Sequence, residues 1–161
     1  MIRPACALAF LAMFSGCESA GSMADASCMG SGMRWTGGNS GSPMMNPGQD
    51  CIGCHNATHE GPRFAVAGTV YADATNADGC NGLAAAYVEL TGADGSTVTA
   101  TTNSVGNFSI EPNRMVKLPY KARVIVGSKV RKMNAAQTDG ACNSCHTLDG
   151  IGGAPGRVLM P

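Results

Sequence analysis

The chain is poor in charge, in aromatic side chains and in histidine. Only 14% of its 161 residues are charged and 5% are aromatic, while the formal net charge is zero. This balance argues against a basic nucleic-acid surface and against an acidic solvating tail, so no nucleic-acid partner is expected. The length and the 22 glycines instead favour one small domain of short strands and turns, with appendages. Because the chain contains only three histidines, chemistry that needs several of them is limited.

The N-terminal apolar run is too short for a permanent membrane-spanning helix. Arg3 precedes the apolar stretch 5–14, and the sequence "FSGC" then ends at Cys17. This pattern is typical of a signal peptide and resembles a bacterial lipobox, whose cysteine is acylated and becomes the new N-terminus. We therefore expect a lipoprotein signal peptide over 1–16. The protein would be exported to the bacterial cell envelope, in the periplasm or on the outer surface, and held in the membrane by a lipid on Cys17. A plain secretory signal cut after "ADA" at 24–26 is the alternative.

The next segment, residues 17–48, has no sustained hydrophobic period. It is rich in glycine, serine, methionine, asparagine and proline. Such a segment buries too little apolar surface to offset the entropy of ordering it. We expect a flexible tether.

Residues 64–134 change to the two-residue period of half-buried strands. The strand segments are "FAVAGTVY", "AYVELTGADGSTVTATT", "NSVGNFSIE" and "YKARVIVGSKVRKM", separated by turns of Gly, Asp and Asn. Phe64, Val66, Gly68 and Val70 would share one face of the first strand. This spacing predicts a mainly β protein, a small antiparallel β-sandwich without a long internal α-helix.

Three of these segments carry a family resemblance. The stretches "VAGTVY", "AYVELTGADGS" and "TTNSVGNFSI" resemble the carboxypeptidase-regulatory-like, or transthyretin-like, family of small Ig-like domains. The resemblance covers residues 64–130, with an insertion "ADATNADGCNG" between the first two strands. It implies an Ig-like sandwich that acts as a scaffold and carries no catalytic residues.

The pattern Cys-x-x-Cys-His occurs twice, as "CIGCH" at 51–55 and "CNSCH" at 142–146. In an exported protein this pattern is the attachment motif for c-type haem. Each thiol adds to one haem vinyl group, and residues three apart lie on the same face of a helical turn. The following imidazole takes the proximal position on the iron. We expect two covalent haems c, in short helical-turn and loop segments over 49–63 and 135–161. Their attachment residues are Cys51, Cys54, His55, Cys142, Cys145 and His146.

Two other readings of the cysteine pairs remain open. Four thiolates from two pairs could hold zinc, and either pair alone could form a disulfide or a redox-active dithiol. Neither reading explains why a histidine follows both pairs.

A proline and an arginine follow each motif. The second flank resembles the start of class I cytochromes c, in which a proline carbonyl accepts the other N–H of the proximal histidine. The resemblance implies that Pro155 orients His146, and Pro62 would do the same for His55. An ordinary turn at either proline is the alternative. The guanidinium groups expected to pair with haem propionates are those of Arg63 and Arg157.

Three histidines cannot supply two bis-histidine haems within one chain. His59 lies four residues after His55, on the same helix face, so it would ligate the other haem if the two segments meet. Met160 would supply a sixth ligand if the C-terminal tail folds across a haem face. The alternatives are an exposed loop histidine, a packing methionine, and an open iron that binds a small gas or peroxide.

Two cysteines remain in the mature chain once the lipid and the haems are assigned. Cys28 lies in the tether and Cys80 lies in the insertion. A disulfide bond between them would pin the tether to that loop.

These features together predict a lipid-anchored dihaem c-type cytochrome that transfers single electrons at the cell envelope. It would be an electron carrier and not an enzyme, because no nucleophile and base are paired. Its partners would be redox proteins such as other cytochromes or reductases, the membrane through the lipid anchor, and other copies through haem-to-haem association. The alternatives are a cell-surface module that binds a glycan or protein and carries structural haems, and a haem-based gas sensor.

Overall fold

The computed structural model describes residues 41–74 and 82–161, which form two β-sheets and two short helices. The mainly β sandwich expected from the sequence is confirmed. The predicted signal peptide, the predicted lipidation site Cys17, and the predicted disulfide cysteines Cys28 and Cys80 lie outside the described residues. The strands are β1 (Val66–Tyr71), β2 (Tyr87–Thr91), β3 (Thr97–Thr101), β4 (Asn107–Ile110), β5 (Lys121–Val126), β6 (Lys129–Lys132) and β7 (Val158–Leu159). The helices are α1 (Cys51–Thr58) and α2 (Cys142–Cys145), and a 3₁₀ turn spans Pro112–Arg114. None of the described helices is long and apolar enough to cross a membrane.

The four-stranded sheet has the order β3-β2-β5-β6, with every pair antiparallel. Val88 of β2 lies opposite Val124 of β5, and Leu90 lies opposite Ala122. The alternation read from the sequence therefore directs the same residues into the core. The segment "YKARVIVGSKVRKM" forms both β5 and β6, because the chain reverses at Gly127, whose φ is 57°.

The three-stranded sheet has the order β4-β1-β7, with β1 at its centre. All six residues of β1 are buried. The half-buried strand expected here is thus covered on both faces, one by the core and the other by segments that contain the cysteine motifs. The apolar core between the sheets includes Val66, Val70, Leu90, Phe108 and Ile110.

One edge of β1 is completed by two pieces of the chain, the segment 140–143 and β7. The Ala67 N–H donates to the Gly140 carbonyl at 3.0 Å, the Thr69 N–H donates to Asn143 Oδ1 at 3.1 Å, and β7 pairs in parallel with the end of β1. A Cβ at position 140 would overlap the carbonyl of Ala65, so this approach requires glycine. The second cysteine motif therefore begins where the chain leaves the edge of β1.

Candidate functional site

The first cysteine motif forms the start of helix α1. The helix begins at Cys51, and the side chain of Asp50 caps it by accepting a hydrogen bond from the Gly53 N–H at 3.0 Å. His59 ends it in the left-handed conformation, with φ 56°, and donates its N–H to the carbonyl of His55. "CIGCH" is therefore a helical turn, which places its two cysteines on one face.

The second cysteine motif forms the single turn α2. Its four residues, Cys142–Cys145, are followed by His146, whose N–H donates to the carbonyl of Cys142 at 2.8 Å. Both motifs thus present two cysteines and a histidine from one helical turn, although their secondary structures differ in length.

Both motif histidines are held by a backbone carbonyl through the same ring nitrogen. Nδ1 of His55 lies 2.8 Å from the carbonyl oxygen of Pro62, and Nδ1 of His146 lies 2.7 Å from that of Gly156. Because a carbonyl oxygen only accepts, Nδ1 must carry the proton in each ring. The neutral imidazole then has its lone pair on Nε2, as a metal-ligating histidine requires.

The acceptor for His146 is not the one that the sequence indicated. The carbonyl of Gly156, and not that of Pro155, accepts from the imidazole. Gly156 is buried and has φ 105°, a backbone conformation that favours glycine and turns its carbonyl towards the ring, whereas Pro155 is exposed. At the first motif, Pro62 supplies the carbonyl itself.

The ring of His55 is also fixed by packing. A Cβ at position 61 would lie 3.0 Å from Cε1 of His55, so Gly61 leaves room for the ring. The ring centroid of Phe64 lies 5.3 Å from that of His55. The loop after the motif therefore sets the orientation of this imidazole from two sides.

Asn143, between the two cysteines of the second motif, connects the two motifs. Its buried side chain donates from Nδ2 to the carbonyl of Gln49 at 2.8 Å, just before the first motif. Its Oδ1 accepts from the Thr69 N–H, and Thr69 Oγ1 lies 3.2 Å from its Nδ2. Since Thr69 is central to β1, one asparagine joins both motifs to the same strand.

The residues just before the first motif are docked on the sandwich as well. The Gly48 N–H donates to Thr69 Oγ1 at 2.8 Å, and Asn107 Nδ2 donates to the Met45 carbonyl at 2.8 Å. Thr69 Oγ1 in turn donates to Asn107 Oδ1 at 2.7 Å. The last residues of the segment predicted to be a tether therefore contact the sandwich, where buried side chains of β1 and β4 satisfy backbone polar groups.

The four motif cysteines have different environments. Burial and the adjacent Asp50 carboxylate raise the pKa of Cys51 to about 11. Burial, with the charge of Cys51 adding to it, raises the pKa of Cys142 to about 12. Cys145 is exposed and, like these two, is a free thiol. Cys54 is disulfide-bonded in this structure, so its Sγ must be reduced before it can bond to a vinyl group.

The residues proposed as propionate partners lie in different surroundings. Arg63 is exposed on the loop after α1. The Arg157 guanidinium lies over the ring of Tyr71, with 4.8 Å between Cζ and the ring centroid, as in a cation–π contact. Burial raises the pKa of Tyr71 to about 12, although the charge of Arg157 opposes this.

His59 and Met160, the residues predicted as sixth haem ligands, lie at the end of α1 and in the C-terminal tail. His59 is exposed at the end of α1. The backbone of Met160 donates to the Tyr71 carbonyl at 2.9 Å and accepts from Arg131 Nε at 2.9 Å. The C-terminal tail is therefore fastened along β1 through its backbone.

No protein-family model matches this sequence, and no curated protein or solved structure is detectably similar to it. Within residues 41–74 and 82–161, no three His, Cys, Asp or Glu side chains are grouped to hold a metal ion. The two motifs and the contacts of their own residues are therefore the features that indicate a function.

Proposed function

We propose that the chain is an exported dihaem c-type cytochrome that transfers single electrons. The observation that carries this proposal is the matching pair of Nδ1–carbonyl hydrogen bonds at His55 and His146. A histidine that only packs or faces solvent does not need a fixed tautomer. Two histidines that each follow a Cys-x-x-Cys turn and each keep Nε2 for a ligand fit two haem irons.

The residues of each motif fit the group in two respects. The cysteines lie three apart on a helical turn, so both sulfur atoms can reach neighbouring vinyl groups on one side of a macrocycle, once Cys54 is reduced. His55 and His146 are only partly buried, which leaves surface on which a macrocycle can lie. When bound, the haem iron supplies the one-electron chemistry, cycling between ferrous and ferric states. The chain retains the group covalently, orients each imidazole, and sets the local dielectric.

A zinc site of four thiolates fits these contacts less well. Such a site would use the cysteines and leave His55 and His146 without a role. The hydrogen bonds that orient both imidazoles favour haem, in which each histidine is a ligand.

The wider assignment follows from the sequence. The lipobox-like N-terminus supports a lipid anchor on Cys17 and a place in the bacterial cell envelope. There, the expected partners are other redox proteins, and the β-sandwich is the scaffold that carries the two haem segments. In this proposal Arg63 and Arg157 pair with propionates, and His59 and Met160 are the candidate sixth ligands.

The test is to count haems on the full chain produced in a host that matures c-type cytochromes. Pyridine haemochrome analysis and intact mass should give two haems per chain. The double variant Cys51→Ala/Cys54→Ala should retain one, and so should Cys142→Ala/Cys145→Ala. The control Lys129→Ala, at an exposed residue of β6 outside the motifs, should retain two. A wild-type chain without covalent haem would refute the proposal.

The same preparation separates electron transfer from gas sensing. An electron carrier with six-coordinate iron should be reduced and reoxidised without a change in its Soret band when carbon monoxide is added. A carbon monoxide-induced Soret shift in the reduced protein would instead support an open iron and the sensor function.

A further inference from the structure

The two cysteine motifs begin at Cys51 and Cys142, far apart in the chain, but both are anchored to the same strand, β1. Cys142 packs against β1, since a Cβ at Gly68 would lie 2.8 Å from the Cβ of Cys142. The segment that leads into the first motif is held by Thr69, the next residue of β1. Ala67 of β1 also forms a parallel β-bridge with Ala141, the residue directly before α2.

A single carbonyl connects the first turn to the second. The Gln49 carbonyl accepts from Asn143 Nδ2 at 2.8 Å and from the Cys51 thiol at 3.5 Å. The first cysteine of one motif and the asparagine inside the other motif therefore share one acceptor. Haem attachment removes the S–H of Cys51 but leaves the hydrogen bond of Asn143, so the connection persists in the mature protein.

We infer that the Gln49–Asn143 hydrogen bond joins the two Cys-x-x-Cys-His turns into one composite dihaem centre, in which the haems are neighbours and Asn143 is a positioning residue. This inference rests on the proposed function and deepens it. Haems attached to two turns that share a carbonyl interact electronically and electrostatically. An electron added to one haem raises the cost of adding an electron to the other.

The test compares the wild-type protein with its two single-haem variants, Cys51→Ala/Cys54→Ala and Cys142→Ala/Cys145→Ala. The wild type should show a two-signed Soret circular-dichroism couplet that does not change on dilution, because coupling within one chain is independent of concentration. Each single-haem variant should lose the couplet. The reduction potential of each remaining haem should differ from its value in the dihaem protein.

The outcomes separate this inference from the proposed function. If no haem is attached, the proposed function fails. If two haems are attached but the wild-type spectrum equals the sum of the two variants, the proposed function stands and the composite centre is refuted. If a variant does not fold, the wild-type couplet decides alone: single-signed Soret bands, or a couplet that vanishes on dilution, overturn the inference.

The role of Asn143 is tested by substitutions that separate its two contacts. Asn143→Asp keeps an oxygen for the Thr69 N–H but removes the donor to the Gln49 carbonyl, while Asn143→Ala removes both. Both variants should weaken the couplet and change the separation of the two potentials, with the haem count still two. The control is Asn134→Ala, at an exposed asparagine. Unchanged couplet and potentials in Asn143→Asp would show that Asn143 does not position the haems.

Discussion

The Thr69 hydroxyl is the most connected polar group beneath the candidate site, so Thr69→Val is the sharpest test of how that site is built. Thr69 is fully buried. Its Oγ1 accepts from the Gly48 N–H at 2.8 Å and donates to Asn107 Oδ1 at 2.7 Å, and it lies 3.2 Å from Asn143 Nδ2. Valine has nearly the same shape, so the substitution removes hydrogen bonds without opening a large cavity.

The expected destabilisation follows from the partners that are left unsatisfied. Asn143 Nδ2 keeps its bond to the Gln49 carbonyl, so it loses little. Asn107 Oδ1 loses a partner in a buried setting and the Gly48 N–H loses one in a partly buried setting, which costs about 1–3 kcal/mol per group. The added methyl group of valine returns up to about 0.8 kcal/mol of apolar burial. We expect the free energy of unfolding to fall by about 1–5 kcal/mol.

Urea denaturation of the full chain measures this change through the midpoint concentration and the slope. With a slope of about 2 kcal/mol/M, the midpoint should fall by about 0.5–2.5 M while the slope stays constant. Thr99→Val is the matched control, because Thr99 is an exposed threonine on a strand, and it should change stability by less than about 0.5 kcal/mol. Thr69→Ser keeps the hydroxyl and should recover part of the loss. A midpoint for Thr69→Val equal to that of the control would refute this account of the hydrogen-bond network.

Two further predictions concern the first of the two proposed haem segments and an exposed turn. Gly61→Ala should lower occupancy of the first haem more than Gly152→Ala does: both positions have positive φ, 74° and 64°, but only a Cβ at 61 would press on the His55 ring. Equal haem counts would contradict the packing argument. Hydrogen bonds from Ser96 lower the pKa of Asp94, so Asp94 should stabilise the fold above its ordinary pKa of about 3.9 and lose that effect as pH falls through its folded value. Ser96→Ala should flatten this pH dependence of the urea midpoint, and an unchanged dependence would contradict it.

Much of the sandwich could be predicted from alternation, because alternation reports directly which face of a strand is buried. Val88 and Leu90 on β2, and Val124 on β5, point into the core as their spacing predicts. The strand β1 was predicted less well. Its sequence suggests one buried face, whereas both faces are covered, because the second cover comes from segments that are distant in sequence.

The local geometry of each motif could also be predicted from the sequence. Cysteines three apart predict a helical turn, and a carbonyl contact for each histidine was predicted from the flanking prolines. At the first motif Pro62 provides that carbonyl, but at the second Gly156 does so. The accepting carbonyl differs from the predicted one by one residue because Gly156 has a positive φ. A segment with several glycines does not show which of them adopts that conformation.

The meeting of the two motifs could not have been predicted, and the reason lies with Asn143. The two middle positions of Cys-x-x-Cys-His have no role in attachment chemistry, so an asparagine there carries no signal. Its importance comes from the Gln49 carbonyl and the Thr69 N–H, which reach it only after β1 has been placed beside α2. A buried amide needs partners for both its oxygen and its nitrogen. An arrangement that separates the motifs would leave the Asn143 amide without one of its partners and would therefore be higher in free energy. Asn143, a middle residue of the second motif, thus becomes the residue that connects one cysteine turn to the other.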